Sequence, residues 1–162
     1  FNKKNFPLQE IKMIVCKFGG SSVADAVQIS KTQNIVKGNP DRKIVVVSAP
    51  GKRDKEDDKI TDLLYKCHNL ASNDKPIDSA WEKIRNRYLQ IAAVLDITWD
   101  LKEELDYIEN KLAGKCSSDY AASRGEYLNA KLISLYFGFE FLDSAELIFW
   151  ISFGKVIRDI IK

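Results

Sequence analysis

Three observations predict an α/β fold, a mostly parallel sheet flanked by helices, for this 162-residue chain. Two short apolar runs rich in β-branched residues, Met13 to Phe18 and Lys43 to Ala49, read as strands covered on both faces. Helical spacing lies between them, and a strand-helix-strand order of this length implies a right-handed parallel crossover. Downstream, apolar residues recur at helical spacing in three successive segments, which supply the layers that cover a sheet.

The crossover helix is predicted from Val23, Ala26, Val27, Ile35 and Val36, and it ends at Gly38-Asn39-Pro40. The carboxyl ends of the two strands then share one edge, where ligands of open α/β sheets usually sit. Ile60, Leu63, Leu64, Cys67, Leu70 and Ala71 form the first downstream stripe. Ile77, Trp81, Ile84, Tyr88, Ile91, Ala92 and Leu95 form the second, after Asn73-Asp74-Lys75-Pro76, and Leu101, Leu105, Ile108 and Leu112 the third. All three, aromatics included, are read as core packing. Ser117 or Ser118 caps a longer helix reaching Tyr136, in which Gly125 is an interior glycine costing about 1 kcal/mol relative to alanine. Two accounts would offset that cost: close packing against another backbone, or room for a ligand beside Glu126. Phe139 to Leu142 and residues 147–153 read as a third and fourth strand. There is no internal repeat, low-complexity tract or interdomain linker.

Composition narrows the function classes. Hydrophobic residues make up 45% and charged residues 30%, which suits one soluble domain with a real core. The 25 basic and 23 acidic residues leave a charge of +2, and no dense Lys/Arg run is interleaved with aromatics, so no nucleic-acid partner is expected. Cys16, Cys67 and Cys116 stand far apart and His68 is the only histidine, which argues against a zinc site or a disulfide framework. Cys16 and Cys67 fit small core positions in a reducing cytoplasm. The polar, proline-broken start has no signal-peptide core, and residues 1–12 read as a leader or tag remnant. The apolar run 147–153 is too short to span a bilayer, so no membrane partner is expected.

The segment Ile14-Val15-Cys16-Lys17-Phe18-Gly19-Gly20-Ser21-Ser22-Val23-Ala24-Asp25 carries the strongest chemical signal. A strand runs into a lysine, two glycines and two serines, and then into a helical stretch. Backbone N–H groups at such a turn, with an ammonium at the strand end, suit a phosphate. Neither the GxxxxGK[ST] nor the GxGxxG spacing is present. Locally two readings stand side by side: an anion cradle, or a Gly-Gly pair that turns a strand into a helix. Ser21 and Ser22 also fit a helix N-cap.

Lys17 to Asp25 as KFGGSSVAD, Val45 to Ala49 as VVVSA, Lys59 to Leu64 as KITDLL, Ser123 to Ile133 as SRGEYLNAKLI and Gly138 to Leu147 as GFEFLDSAEL occur in that order. Together they resemble the aspartokinases, ATP-dependent kinases of L-aspartate in the amino-acid kinase superfamily, over residues 13–147. The resemblance implies an amino-acid kinase-like (carbamate kinase-like) fold, truncated here. It also implies transfer of the ATP γ-phosphate to the β-carboxylate of L-aspartate, giving 4-phospho-L-aspartate on the route to lysine, threonine and methionine. Lys17 would meet the ATP phosphates as a point charge, with Gly19, Gly20 and Ser21 as the nest beside it. By the same resemblance Ser48 and Thr61 line the aspartate and phosphoryl-transfer site, and Glu126 faces the substrate α-ammonium. Capping of a helix competes for Thr61, and plain solvent exposure for Glu126. Magnesium follows from the ATP chemistry, with no ligand named.

The loop Pro50 to Lys59 is dense with charge. Such runs are mostly solvated, although its place between Ser48 and Thr61 makes a flap conceivable. The family's Gly-Gly-Ser-Asp motif, its aspartate-binding arginine, its transfer-site aspartate and its regulatory ACT modules have no counterpart. Residues 13–162 are therefore expected to be the N-terminal portion of a catalytic domain, inactive alone and prone to self-association or to pairing with the missing half. The rival readings are a non-catalytic aspartate- or phosphate-binding remnant and a kinase of another amino acid or of a nucleoside monophosphate.

Overall fold

A computed structural model describes residues 12–147. Strand β1 (Ile14–Phe18) pairs in parallel with β2 (Arg42–Val47), joined by a 3-10 turn at Gly20–Val23 and helix α1 (Ala26–Lys37). The predicted parallel crossover is therefore present. Asp25 caps α1, its carboxylate accepting from the Gln28 N–H at 2.8 Å, and Gly38 closes the other end. Neither Ser21 nor Ser22 is the cap: the 3-10 turn has Gly19 at its N-cap position and no side-chain cap bond.

The register sets the two faces of the sheet. Cys16 pairs with Val45 and Phe18 with Val47, and Phe18, Val45 and Val47 pack on the core. Val15 pairs with Ile44 and Lys17 with Val46, and these four side chains are exposed. Val15 is 59% and Val46 47% exposed, so the strands are covered on one face only among the described residues. The continuous apolar runs predicted two covered faces; a strand's composition does not reveal which layer lies over each side. Helix α1 likewise buries Ala26, Ile29, Thr32 and Val36, while Val27 lies 61% exposed on the other side.

The core lies between the covered sheet face and α2 (Ile60–Ser72), α3 (Asp78–Val94), α4 (Leu101–Ala113) and α5 (Ser118–Phe137). Apart from half-buried Leu70, all residues of the three predicted stripes are buried, with Trp81, Tyr88, Ile84, Leu64, Leu105, Ile108 and Leu112 fully enclosed. Each such aliphatic or aromatic side chain contributes about 1.5–3 kcal/mol of burial. Burial also pushes the Cys67 thiol up to about 11, which fits an inert core cysteine; Cys16 is half-buried. Ser117 caps α5 by accepting from the Tyr120 N–H at 3.1 Å, and Gly138 ends it at φ 73°, a left-handed position that favours glycine.

Phe139 to Leu142 is not a strand. Gly138 folds the chain back, Phe139 donates its N–H to the Ser134 carbonyl at 2.9 Å, and its ring stacks edge-on to Phe137 at 6.0 Å. Phe141 does the same against Tyr127 at 5.5 Å. Aromatic packing onto α5 replaces sheet pairing among the described residues. Leu147 closes a short helix, α6 (Ser144–Leu147), and the rest of the predicted fourth strand lies outside the described residues.

Candidate functional site

Four segments meet at the carboxyl end of the two strands. Ser48 donates its N–H to the Phe18 carbonyl at 3.0 Å, which extends the β1–β2 pairing by one bond beyond the strand. Gly51 then donates to the Gly20 carbonyl at 2.9 Å, so the loops that follow the strands run backbone against backbone. A Cβ on Gly20 would stand 2.9 Å from the Ala49 carbonyl oxygen, and one on Gly51 would stand 2.7 Å from the Gly20 carbonyl carbon. Gly20 is required by this contact. Gly19 is different: nothing lies within 4 Å of its missing Cβ, and its φ of −76° is open to any residue.

The third segment is the start of α2. Ile60 donates to the Pro50 carbonyl at 3.3 Å, which sets Thr61 in the first turn beside the Ser48 to Pro50 segment. Lys59 holds the N-cap position without a side-chain bond, so Thr61 does not cap the helix. Thr61 is half-exposed, and its hydroxyl has no hydrogen-bond partner among the described residues.

Helix α5 brings the fourth segment. The Ala49 N–H donates to Glu126 Oε1 at 3.3 Å, and Asn129 Nδ2 donates to the Ser48 carbonyl at 2.7 Å. Glu126 remains exposed, and its second carboxylate oxygen is unengaged among the described residues. Asn129 is fully buried, and its Oδ1 has no partner there. Gly125 permits the approach, because a Cβ would stand 2.7 Å from Ala49 Cβ and 3.2 Å from Leu64 Cδ1. Close packing therefore accounts for this glycine, although against side chains and not against the other backbone that was expected. The space at its missing Cβ is filled by the side chains of Ala49, Leu64 and Ile60. Gly125→Ala is accordingly expected to destabilise the chain by about 1–3 kcal/mol through overpacking, outweighing the gain of about 1 kcal/mol in helix propensity. Urea unfolding that shows a more stable variant would mean that the Ala49 segment yields freely.

Lys17 projects from the open sheet face and makes no ion pair among the described residues. The N–H groups of Gly20 and Ser21 begin the 3-10 turn and have no acceptor among those residues, whereas Ser22 donates to the Gly19 carbonyl at 2.9 Å. Lys17 and two N–H groups without an acceptor among the described residues thus lie within five residues of one another at the end of β1.

The charged loop between Ser48 and Thr61 is more than a solvated run. Residues 52–56 are exposed, but Asp57 is only 10% exposed and accepts from Arg53 and from Arg87 of α3. The Arg53 hydrogen bonds, followed by the charge of Arg87, hold the Asp57 carboxyl well below the usual carboxylate range. Asn129, Gly51, Arg87 and Asp57 are positions that motif reading passed over. Asn129 and Arg87 did carry a signal, since each is a polar residue on an otherwise apolar helix face.

A parallel strand-helix-strand unit with a lysine-glycine turn at its carboxyl edge places the chain among α/β domains. The chain belongs to the amino acid kinase family, whose profile matches residues 12–150. It is 41% identical to Aspartokinase 3 of Bacillus subtilis (strain 168) over 136 residues, covering 79% of this chain and 30% of that protein. The crystal structure of Clostridium acetobutylicum aspartate kinase superposes with a TM-score of 0.84 at 44% identity, over 86% of this chain and 32% of the other. E. coli aspartokinase III in complex with aspartate and ADP superposes with a TM-score of 0.60 at 26% identity, over 76% and 28%. The chain thus spans about a third of the length of these relatives. No helix among the described residues is long and apolar enough to cross a membrane.

Proposed function

We propose that this chain forms the aspartate-binding and phosphate-contacting part of an aspartate kinase site, in which ATP and L-aspartate give ADP and 4-phospho-L-aspartate. The observation that carries this reading is the junction of α5 with the end of β2. There Glu126 accepts the Ala49 N–H with one oxygen, and Asn129 donates to the Ser48 carbonyl. A half-engaged carboxylate suits an α-ammonium, while the hydroxyls of Ser48 and Thr61 suit the substrate carboxylates.

The chemistry needs little from the side chains beyond placement. A β-carboxylate is already ionised near neutral pH, so no base has to remove a proton. One carboxylate oxygen attacks the γ-phosphorus, the bond to the β,γ-bridging oxygen breaks, and ADP leaves with that electron pair. The task left to the protein is to bring two anions together and to neutralise the transferring group. Lys17 supplies a full charge for this, and the Gly20 and Ser21 N–H groups supply partial ones, with Gly19 leaving the approach open. Among the described residues no group of three or more His, Cys, Asp or Glu side chains is gathered. The ion enters this reading only as the usual companion of ATP phosphates. The reading places the protein in cytoplasmic amino-acid biosynthesis leading to lysine and threonine, acting with copies of itself or with the remaining part of such a domain.

Calorimetric titration with aspartate, glutamate and uridine monophosphate tests it. Aspartate alone is expected to bind, and Glu126→Gln to weaken it about tenfold, as for a lost charge-assisted bond. Hydroxylamine trapping with ATP, Mg2+ and aspartate, run beside Lys17→Ala, then separates turnover from binding without transfer. A folded chain that ignores aspartate would overturn the proposal.

A further inference from the structure

We propose that Arg87 is a positioning residue: it locks the loops that follow β1 and β2 into one register and so couples anion binding at Gly19 to Ser21 with substrate binding at Ser48 and Thr61. This rests on the function proposed above.

Arg87 is 5% exposed and is the only charged residue buried so deeply among the described residues. It stands on the apolar face of α3 between Ile84 and Ile91, where burial of an ion is costly unless every donor is engaged. Its Nη1 donates to the Ala24 carbonyl at 3.3 Å and to the Gly51 carbonyl at 3.1 Å, and its Nη2 pairs with Asp57. Ala24 closes the 3-10 turn of the anion segment. Gly51 is the residue zipped to Gly20. Asp57 lies three positions ahead of Ile60, where α2 starts. One planar, permanently charged fork thus fixes acceptors from both loops at set mutual angles.

The next residue extends the device. Tyr88 donates its buried hydroxyl to the Gly125 carbonyl at 2.8 Å, one position before Glu126. Helix α3 contributes none of the candidate ligand groups, yet residues 87 and 88 tie it to the anion segment, to the loop between Ser48 and Thr61, and to α5. Residues 52–56 are exposed, and of these only Arg53 reaches outside the loop among the described residues, to Gln90 at 3.4 Å. A lysine at position 87 would keep the charge and lose the fork.

The test uses the full chain, with Arg87→Lys and Arg87→Ala, the latter with and without millimolar methylguanidinium. Amide hydrogen exchange follows residues 19–24 and 50–59, and calorimetry follows aspartate binding with and without inorganic triphosphate. Arg87→Lys is expected to speed exchange in both loops while α2 and α5 stay protected. It is also expected to weaken aspartate about tenfold and to abolish the effect of triphosphate on aspartate affinity, a loss within the usual range of site coupling. Methylguanidinium should restore both readouts in Arg87→Ala, which a purely global loss of stability would not permit. Unchanged exchange in Arg87→Lys overturns the locking. Faster exchange with unchanged aspartate binding and unchanged triphosphate dependence reduces Arg87 to a structural ion. A wild-type chain that binds neither ligand overturns the proposed function and the coupling with it, while the exchange result still decides whether Arg87 locks the loops.

Discussion

Asp57→Ala is expected to cost about 3–5 kcal/mol of stability, because it strands a guanidinium in the interior without its counter-ion. A domain of this kind has about 5–15 kcal/mol in total, so most of the variant's margin disappears. The size follows from burial and not from the number of contacts. Arg53 also binds Asp57, but its side chain is 42% exposed, and Arg53→Ala is expected to cost no more than about 1 kcal/mol. Urea unfolding of the two variants makes the comparison, and Asp57→Asn, which keeps an acceptor, should fall between them. Adding Arg87→Met to Asp57→Ala should return part of the loss, since the stranded charge is then gone. A cost below about 1 kcal/mol for Asp57→Ala would mean that water reaches Arg87. The pH dependence has a definite sign. Asp57 has a depressed pKa in the folded chain, so its contribution is fully present above the ordinary carboxylate value of about 4. It is lost only as the pH falls further, toward the folded value.

Gly51→Ala and Gly19→Ala are expected to separate folding from binding. At Gly51 the new methyl meets the backbone of Gly20 and Ser21 at 2.7–2.9 Å, and neither can move without breaking the Gly51 to Gly20 hydrogen bond. A loss of about 1–3 kcal/mol is expected, together with loss of aspartate binding as Ser48 and the start of α2 shift. At Gly19 the methyl enters open space and the backbone angle is ordinary, so unfolding should be unchanged to within about 0.5 kcal/mol. If an anion sits over this turn, the same methyl blocks it, and triphosphate affinity should fall about tenfold or more. Unfolding curves and triphosphate titrations on the two variants decide the matter. Equal triphosphate binding by Gly19→Ala and the wild type would move the anion away from this glycine.

The sequence made the helices legible because burial of one stripe is a local rule, met by Ile84, Tyr88 and Ile91 on α3 and by Leu101, Leu105, Ile108 and Leu112 on α4. The parallel pairing of β1 and β2 was legible for a similar reason, since only a crossover joins two such runs through a helix. What lay over the sheet was not. Val15 and Val46 look like buried strand residues in any local window, and only the tertiary arrangement leaves them exposed. Phe139 and Phe141 misled in the same way, because aromatic alternation serves a strand and a chain folded onto a helix equally well. In the candidate site, the motifs identified the segments that meet but not what joins them. The roles of Gly51, Asn129 and Asp57 depend on partners 31, 81 and 30 positions away, which no spacing rule reaches.

Lys17 shares its sheet face with Val15, Ile44 and Val46, and that arrangement ties the strength of its charge to its apolar neighbours. While water covers the face, an ammonium and a phosphate about 4 Å apart attract by only about 1 kcal/mol. Covering the three aliphatic side chains removes that water and brings the local permittivity toward 20, where the same pair attracts by about 4 kcal/mol. If Lys17 meets phosphate as proposed, whatever packs against Val15, Ile44 and Val46 would set how tightly it is held, without touching the lysine itself.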